Sequence, residues 1–391
     1  VAKQRDKITK THRRTERPPF ETVALVLQGG GALGAYQAGV FEALAEANVN
    51  PDWIAGISIG AINSAIIAGN APEHRVERLR QFWESITTDL HYDWAKQLLP
   101  NVVTGDLPRS LYSRLGSSLS LMLGQNGFFK PRMPVPFLNF PGSVAATSYY
   151  DTNDLESTLT RFVDFDRINH GPIRLSVGAV NVRTGNFAYF DSTTHDIGPR
   201  HIIASGSLPP GFPATEIEGE LYWDGGLVSN TPLQWILESL PRRDTLAFQV
   251  DLWNARGVPP RDILEVMERE KEIRYSSRTR LNTDFFRNMQ DMRKAVARLL
   301  DKLPDGMADD PDVAFLKPLA SNKVFNIVHL IYRSKGFEDQ AKDYEFSRIG
   351  MIEHWQAGYY DAVQTLRHKE IFVRPTGEEC VRVFDCTEGG P

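Results

Sequence analysis

The chain has 391 residues, 41% hydrophobic and 24% charged, with a formal net charge of −5, a globular balance without the positive field that nucleic acid requires. Its length allows one large α/β domain with an extension, or two modest domains, and a core of that size needs no disulfide staples. Only two cysteines occur, Cys380 and Cys386, both near the C-terminus, which argues against a secreted disulfide framework and favours a cytoplasmic setting.

The stretch from Lys3 to Arg17 carries Lys7, Lys10, Arg13, Arg14 and Arg17 with almost no apolar residue. Residues 1–18 therefore read as a solvated, disordered basic tail, with contact to anionic headgroups as the alternative. No apolar run approaches the ~20 residues that span a bilayer, and no signal-peptide apolar region follows the basic start. Any membrane contact is then expected to be peripheral.

Val23–Leu27 is a short continuous apolar run, which predicts a strand buried on both faces. Glycines follow, and Leu33, Tyr36, Val40, Phe41 and Leu44 recur at helical spacing. A second apolar run from Trp53 to Ile57 leads into Ser58 and a helix of small residues that stops at Gly69-Asn70. Strand, helix, strand, helix predicts an α/β fold with a parallel sheet flanked by helices. Residues 98–150 break this rhythm with six prolines and with Leu121, Met122, Leu123, Phe128, Phe129, Phe137 and Phe140. They predict an inserted cap, most of whose apolar groups are expected to be buried beneath the loop itself, with contact to lipid as the alternative. Ile173–Val180 and Phe187–Phe190 read as a hairpin and Leu246–Leu252 as a further core strand. The catalytic unit is thus expected over residues 19–260. Residues 261–391 read as a mainly helical extension, with one strand at Val324–Tyr332.

Three places carry chemistry. Gly29-Gly30-Gly31-Ala32-Leu33-Gly34 joins a buried strand to a helix, so its backbone N–H groups are placed to bind an anion. The spacing also satisfies G-x-G-x-x-G, but a dinucleotide site wants an acid at the end of the next strand. Asp52 precedes that strand, and the strand delivers Ser58 instead. Gly56-Ile57-Ser58-Ile59-Gly60 is a G-x-S-x-G at a strand-to-helix junction, where a sharp turn presents the hydroxyl as a nucleophile. In Trp223-Asp224-Gly225-Gly226-Leu227 a carboxylate stands at the tip of a short strand, with glycines that let the backbone bend around it. A histidine base is the usual partner of a serine. His329 reads as a core residue, however, and His354 and His368 as solvated positions on a helix.

The three motifs, in this order between about Thr22 and Pro232, resemble those of the patatin-like phospholipase family. The resemblance implies a doubly wound, mostly parallel sheet and a serine lipid acyl hydrolase with a Ser-Asp dyad and no catalytic histidine. Ser58 would be the nucleophile, Asp224 the general base, and Gly29, Gly30 and Gly31 the oxyanion loop, of which Gly30 and Gly31 are the expected donors. Gly34, Gly56, Gly60, Gly225 and Gly226 would support the turns. Many members carry Arg or Lys where this chain has Leu33, which weakens the expected hold on anionic groups. A free aspartate, at ~3.9, is a feeble base at neutral pH, so burial has to raise it. The dyad would equally serve a neutral ester, an acyl thioester or a polyester such as polyhydroxybutyrate, and a non-catalytic lipid-surface scaffold keeping the fold is the competing class. No cofactor or metal is expected, because no His, Cys or acidic cluster has ligand spacing.

Overall fold

The computed structural model describes residues 12–87, 116–118, 120–277, 279–307, 310–334 and 342–386. Its centre is a sheet of β1 (Thr22–Leu27), β2 (Trp53–Gly56), β5 (Arg174–Asn181), β6 (Phe187–Asp191), β7 (Thr215–Ile217), β8 (Glu220–Asp224), β9 (Thr245–Asp251), β10 (Phe325–Ile331) and β11 (Val381–Asp385). The order is β11-β10-β9-β1-β2-β5-β8-β7, with β6 also on β5. Pairing is parallel from β11 across to β5 and antiparallel where β6, β7 and β8 join. Two-residue strands β3 (Lys130–Pro131) and β4 (Tyr150–Asp151) form a separate ribbon.

The pleat explains why β1 has no polar alternation. Val23, Leu25 and Leu27 enter one core with Leu33, Phe41, Ile62 and Trp355, while Ala24 and Val26 enter a second core with Leu237, Phe286 and Ile327. Helices Gly34–Glu46, Ile59–Ala68 and Arg348–Thr365 cover the first face, and Leu233–Glu238 and Thr279–Leu300 the second. Both faces are covered, as a parallel sheet requires. Residues 261–391 are woven into this centre: β10 and β11 extend the sheet beside β9. Helix Arg348–Thr365 packs along helix Gly34–Glu46, where a Cβ at Gly39 would lie 1.9 Å from the Trp355 carbonyl oxygen. Among the described residues no helix is long and apolar enough to cross a membrane.

Three expectations change. The tail lies outside the described residues up to position 11, but from His12 it is docked: the Arg14 guanidinium stacks over the Phe372 ring and Arg17 pairs with Asp52. A cation with an aromatic face and a carboxylate within reach does not trail in solvent. The cap, of which residues 98–115 and 119 lie outside the described residues, buries Phe128 and Phe129 but leaves Leu121, Met122, Leu123, Phe137 and Phe140 exposed. His354 is buried rather than solvated, edge-on to Tyr332 with centroids 5.2 Å apart, because both flanks of its helix are packed.

Candidate active site

Ser58 leaves β2 with φ 56° and ψ −125°, a backbone conformation rare outside glycine that costs about 1–3 kcal/mol. Neighbouring groups hold it there. The Ser58 N–H donates to the Ser205 carbonyl at 3.1 Å and to Ser205 Oγ at 3.0 Å. The turn also needs close approach of backbone on both sides. A Cβ at Gly60 would lie 2.2 Å from the Leu27 carbonyl oxygen, and one at Gly56 would lie 2.3 Å from that of Gly60. Gly34 is pressed against the Ile59 side chain in the same way.

The sheet delivers Asp224 to the same point from the opposite direction. Strand β5 has two edges, and β6 occupies one along Ser176–Val180. On the other, β2 pairs with the first half, Arg174–Val177, and β8 with the end, Ala179–Asn181. β2 arrives parallel and β8 antiparallel, so the two meet head to head opposite Gly178. Gly225 then turns the chain away against the Gly178 carbonyl, where a Cβ would have only 2.7 Å.

The Asp224 carboxylate is 2% exposed. Burial pushes its pKa up to about 7, against hydrogen bonds from the Ser58 hydroxyl and the Gly226 N–H that pull it down. The Gly226 N–H lies 2.7 Å from Oδ1. The site therefore sets a hydroxyl beside a carboxylate basic enough to accept a proton near neutrality.

The glycine-rich loop is fixed from behind. The Gly29 carbonyl accepts from Trp253 Nε1 at 2.9 Å and from Asn230 Nδ2 at 3.1 Å. In a trans peptide the next N–H points the opposite way, so the Gly30 N–H is turned away from Trp253 and Asn230. Among the described residues neither the Gly30 nor the Gly31 N–H finds an acceptor, whereas the Gly29 N–H is directed at the Asn230 carbonyl, 3.4 Å away. That leaves Gly30 and Gly31 as the available donors. Gly31 has φ +56°, and a Cβ there would lie 2.2 Å from the Asp343 carbonyl oxygen, so no other residue fits.

These groups line one cleft of about 80 Å³. Its walls are mainly apolar, with Ile59, Ile62, Phe128, Phe129, Leu208 and Phe212 prominent. Among the described residues no Lys, Arg or His lines it. Leu33, at the position where a cation is common, is fully buried in the core and does not line the cleft. His329 sits in β10, where burial pulls its pKa down to about 4, and His368 is exposed beside Glu370. Asp52 is occupied by Arg17 and by the Val23 N–H at the start of β1, far along the sheet from the glycine loop. Among the described residues no group of three His, Cys, Asp or Glu side chains is placed to hold a metal ion.

Several contributors escaped the sequence reading. Asn230 follows the Asp224 motif closely in the chain but carries no signal of its own. Ser205, Trp253, Tyr275, Asp343, Tyr344 and Phe346 come from distant segments, and no local pattern marks a residue whose role is to back or roof another segment.

Comparison with known proteins identifies relatives of the chain. The sequence model of the patatin-like phospholipase family matches residues 25–234, and a second, described as patatin phospholipase, matches residues 273–378. Lysophospholipase nte1 of Aspergillus terreus is 50% identical over 60 residues, 15% of this chain and 4% of that protein. Patatin-like phospholipase domain-containing protein 6 of Homo sapiens is 43% identical over 70 residues, 18% of this chain and 5% of that protein. The matches thus span about a twentieth of these relatives. Among solved structures, VipD from Legionella pneumophila aligns over 88% of this chain and 67% of its own, with TM-score 0.36 and 16% identity. The type III effector ExoU aligns over 90% and 54%, with TM-score 0.30 and 16% identity. With one family model covering more than half of its length, the chain belongs to the patatin-like phospholipase family.

Proposed function

We propose that the protein hydrolyses a lipid acyl ester through a Ser58–Asp224 dyad and an acyl-enzyme. The observation that carries this reading is Asp224, a carboxylate buried against the Ser58 hydroxyl and raised to about 7. With the ester carbonyl between Ser58 and the glycine loop, Asp224 takes the hydroxyl proton as the oxygen attacks carbon. The carbonyl oxygen gains negative charge and is met by the Gly30 and Gly31 N–H groups, each such donor typically worth about 3 kcal/mol. The proton passes to the departing alcohol, and water then releases the fatty acid by the same steps in reverse.

The apolar cleft suits an acyl chain, and the absence of a cation among its described lining residues favours a substrate whose reacting end is not held by an anionic group. Phospholipid is the substrate class the family membership supports. Neutral ester, thioester and polyester are distinguished by a turnover panel. The site itself is tested by labelling with a fluorophosphonate probe beside Ser58→Ala and Asp224→Asn. Labelling of wild type alone is the expected result. A folded wild type that stays unlabelled overturns the reading in favour of a scaffold, and loss in Ser58→Ala alone places the base elsewhere.

A further inference from the structure

Residues 133–149 contain no charged side chain, although charged residues make up 24% of the chain. Met133, Phe137 and Phe140 in that segment are 87%, 83% and 88% exposed, and Leu138 and Val144 stand out beside them. The segment is nevertheless well held. Asn139 Nδ2 donates to the Pro134 and Val135 carbonyls at 3.2 and 3.1 Å. Ser143 Oγ donates to the Phe140 carbonyl at 2.8 Å and Thr147 Oγ1 to that of Val144 at 2.9 Å. The polar side chains thus turn back onto their own backbone and leave the outer face apolar.

This face is continuous with the cleft. The Tyr149 and Tyr150 N–H groups donate to the Pro210 and Gly211 carbonyls at 3.0 and 2.9 Å. The Tyr150 ring packs against Phe129 and Phe212, centroids 5.0 and 6.0 Å away, and both of those rings line the cleft. Tyr149 in turn meets Phe137 at 6.3 Å. A run of aromatic contacts therefore leads from the exposed face to the wall beside Ser58.

Exposed apolar surface of this kind marks a site of interaction. A protein partner pairs polar groups around its rim, and this segment offers few that are free. Hydrocarbon needs none. We propose that residues 133–149 dock the protein on a lipid surface, with Phe137, Leu138 and Phe140 entering the acyl region and Tyr150 and Phe212 guiding a chain into the cleft. The proposal rests on the lipid-hydrolase reading, yet docking is measured without turnover.

The full chain carrying Ser58→Ala, which cannot consume lipid, is sedimented with phosphatidylcholine vesicles, alone and with Phe137→Asp and Phe140→Asp added. The expected result is binding by the first and at least about a tenfold lower partition by the second, because two apolar side chains are replaced by charges. With Ser58 intact, hydrolysis of a soluble butyrate ester reports the fold of the double variant. That activity should persist while hydrolysis of vesicle lipid falls at least about tenfold. Equal partition of the two proteins overturns the proposal. So does a dimer that the same substitutions dissociate, with no vesicle binding by either, since the face would then serve a second copy. Vesicle binding without hydrolysis of any ester by the Ser58 protein keeps the docking surface and removes the hydrolase reading instead.

Discussion

Three buried aspartates stand beside a serine hydroxyl, and in one of them, Asp191, hydrogen bonds from Arg174 and Ser176 hold the carboxyl low against burial. The other two are Asp224, beside the Ser58 hydroxyl, and Asp251, which accepts from Ser277 Oγ at 2.8 Å and from Gln249 Nε2 at 2.7 Å. Burial pushes both carboxyls up to about 7. Their surroundings differ in what stands opposite the hydroxyl. Ser58 sits on a left-handed turn facing a loop whose Gly30 and Gly31 N–H groups have no acceptor among the described residues. Ser277 lines a second cleft with Thr231, Leu233, Gln249 and Phe286, among whose described lining residues there is no glycine. A raised acid follows from burial where no cation pairs with the carboxylate. A nucleophile also needs presentation and a place for the charge that develops on the substrate.

The largest effect expected from this contrast is on the acid itself. Asp224→Asn keeps the shape but removes the base, and ester turnover should fall on the order of 10³-fold. A loss of less than tenfold, measured by steady-state kinetics on a soluble ester, would erase the distinction between the two pairs.

The pH profile sharpens it further. Asp224 works as a base only when ionised, so kcat/KM should climb with pH through about 7 and level off above it, falling about tenfold per unit on the acid side. A profile flat from pH 5 to 9 would contradict the assignment.

Trp253→Phe removes one of the two donors that fix the Gly29 carbonyl. If that bond aims the Gly30 N–H, kcat should drop on the order of tenfold with KM little changed, since misplacement is felt in the transition state. An equal rise in KM would point to the cleft wall instead. Smallest of all is Ser277→Ala, for which turnover within about twofold of wild type is expected. A large loss there would mean the two pairs are coupled.

Much of the fold was legible in the chain. Continuous apolar runs announced β1 and β2, because strands covered on both faces have no reason to alternate, and glycine at fixed offsets announced the turns between them. Ser58 and Asp224 were legible as candidates because each sits in a short glycine-rich motif at the end of a strand. The exposed side chains of the cap were not, since an apolar residue reads the same whether a loop covers it or water does. His354 misled for a related reason: which flank of a helix is buried depends on neighbours that the helix does not encode.

The sequence by itself therefore determined the parallel βαβ start, the turn at Ser58 and the carboxylate at a strand tip, all properties of segments a few residues long. Tertiary structure alone decided that β2 and β8 meet head to head on one edge of β5, and that Trp253 and Asn230 lock the Gly29 peptide. It also decided that Asp343 and Tyr344 roof the cleft from more than 280 residues beyond Ser58. Those contacts join segments with no common local pattern. They exist because a buried carbonyl must find a donor and an apolar wall must find a lid, and those needs are met only after the chain has closed on itself.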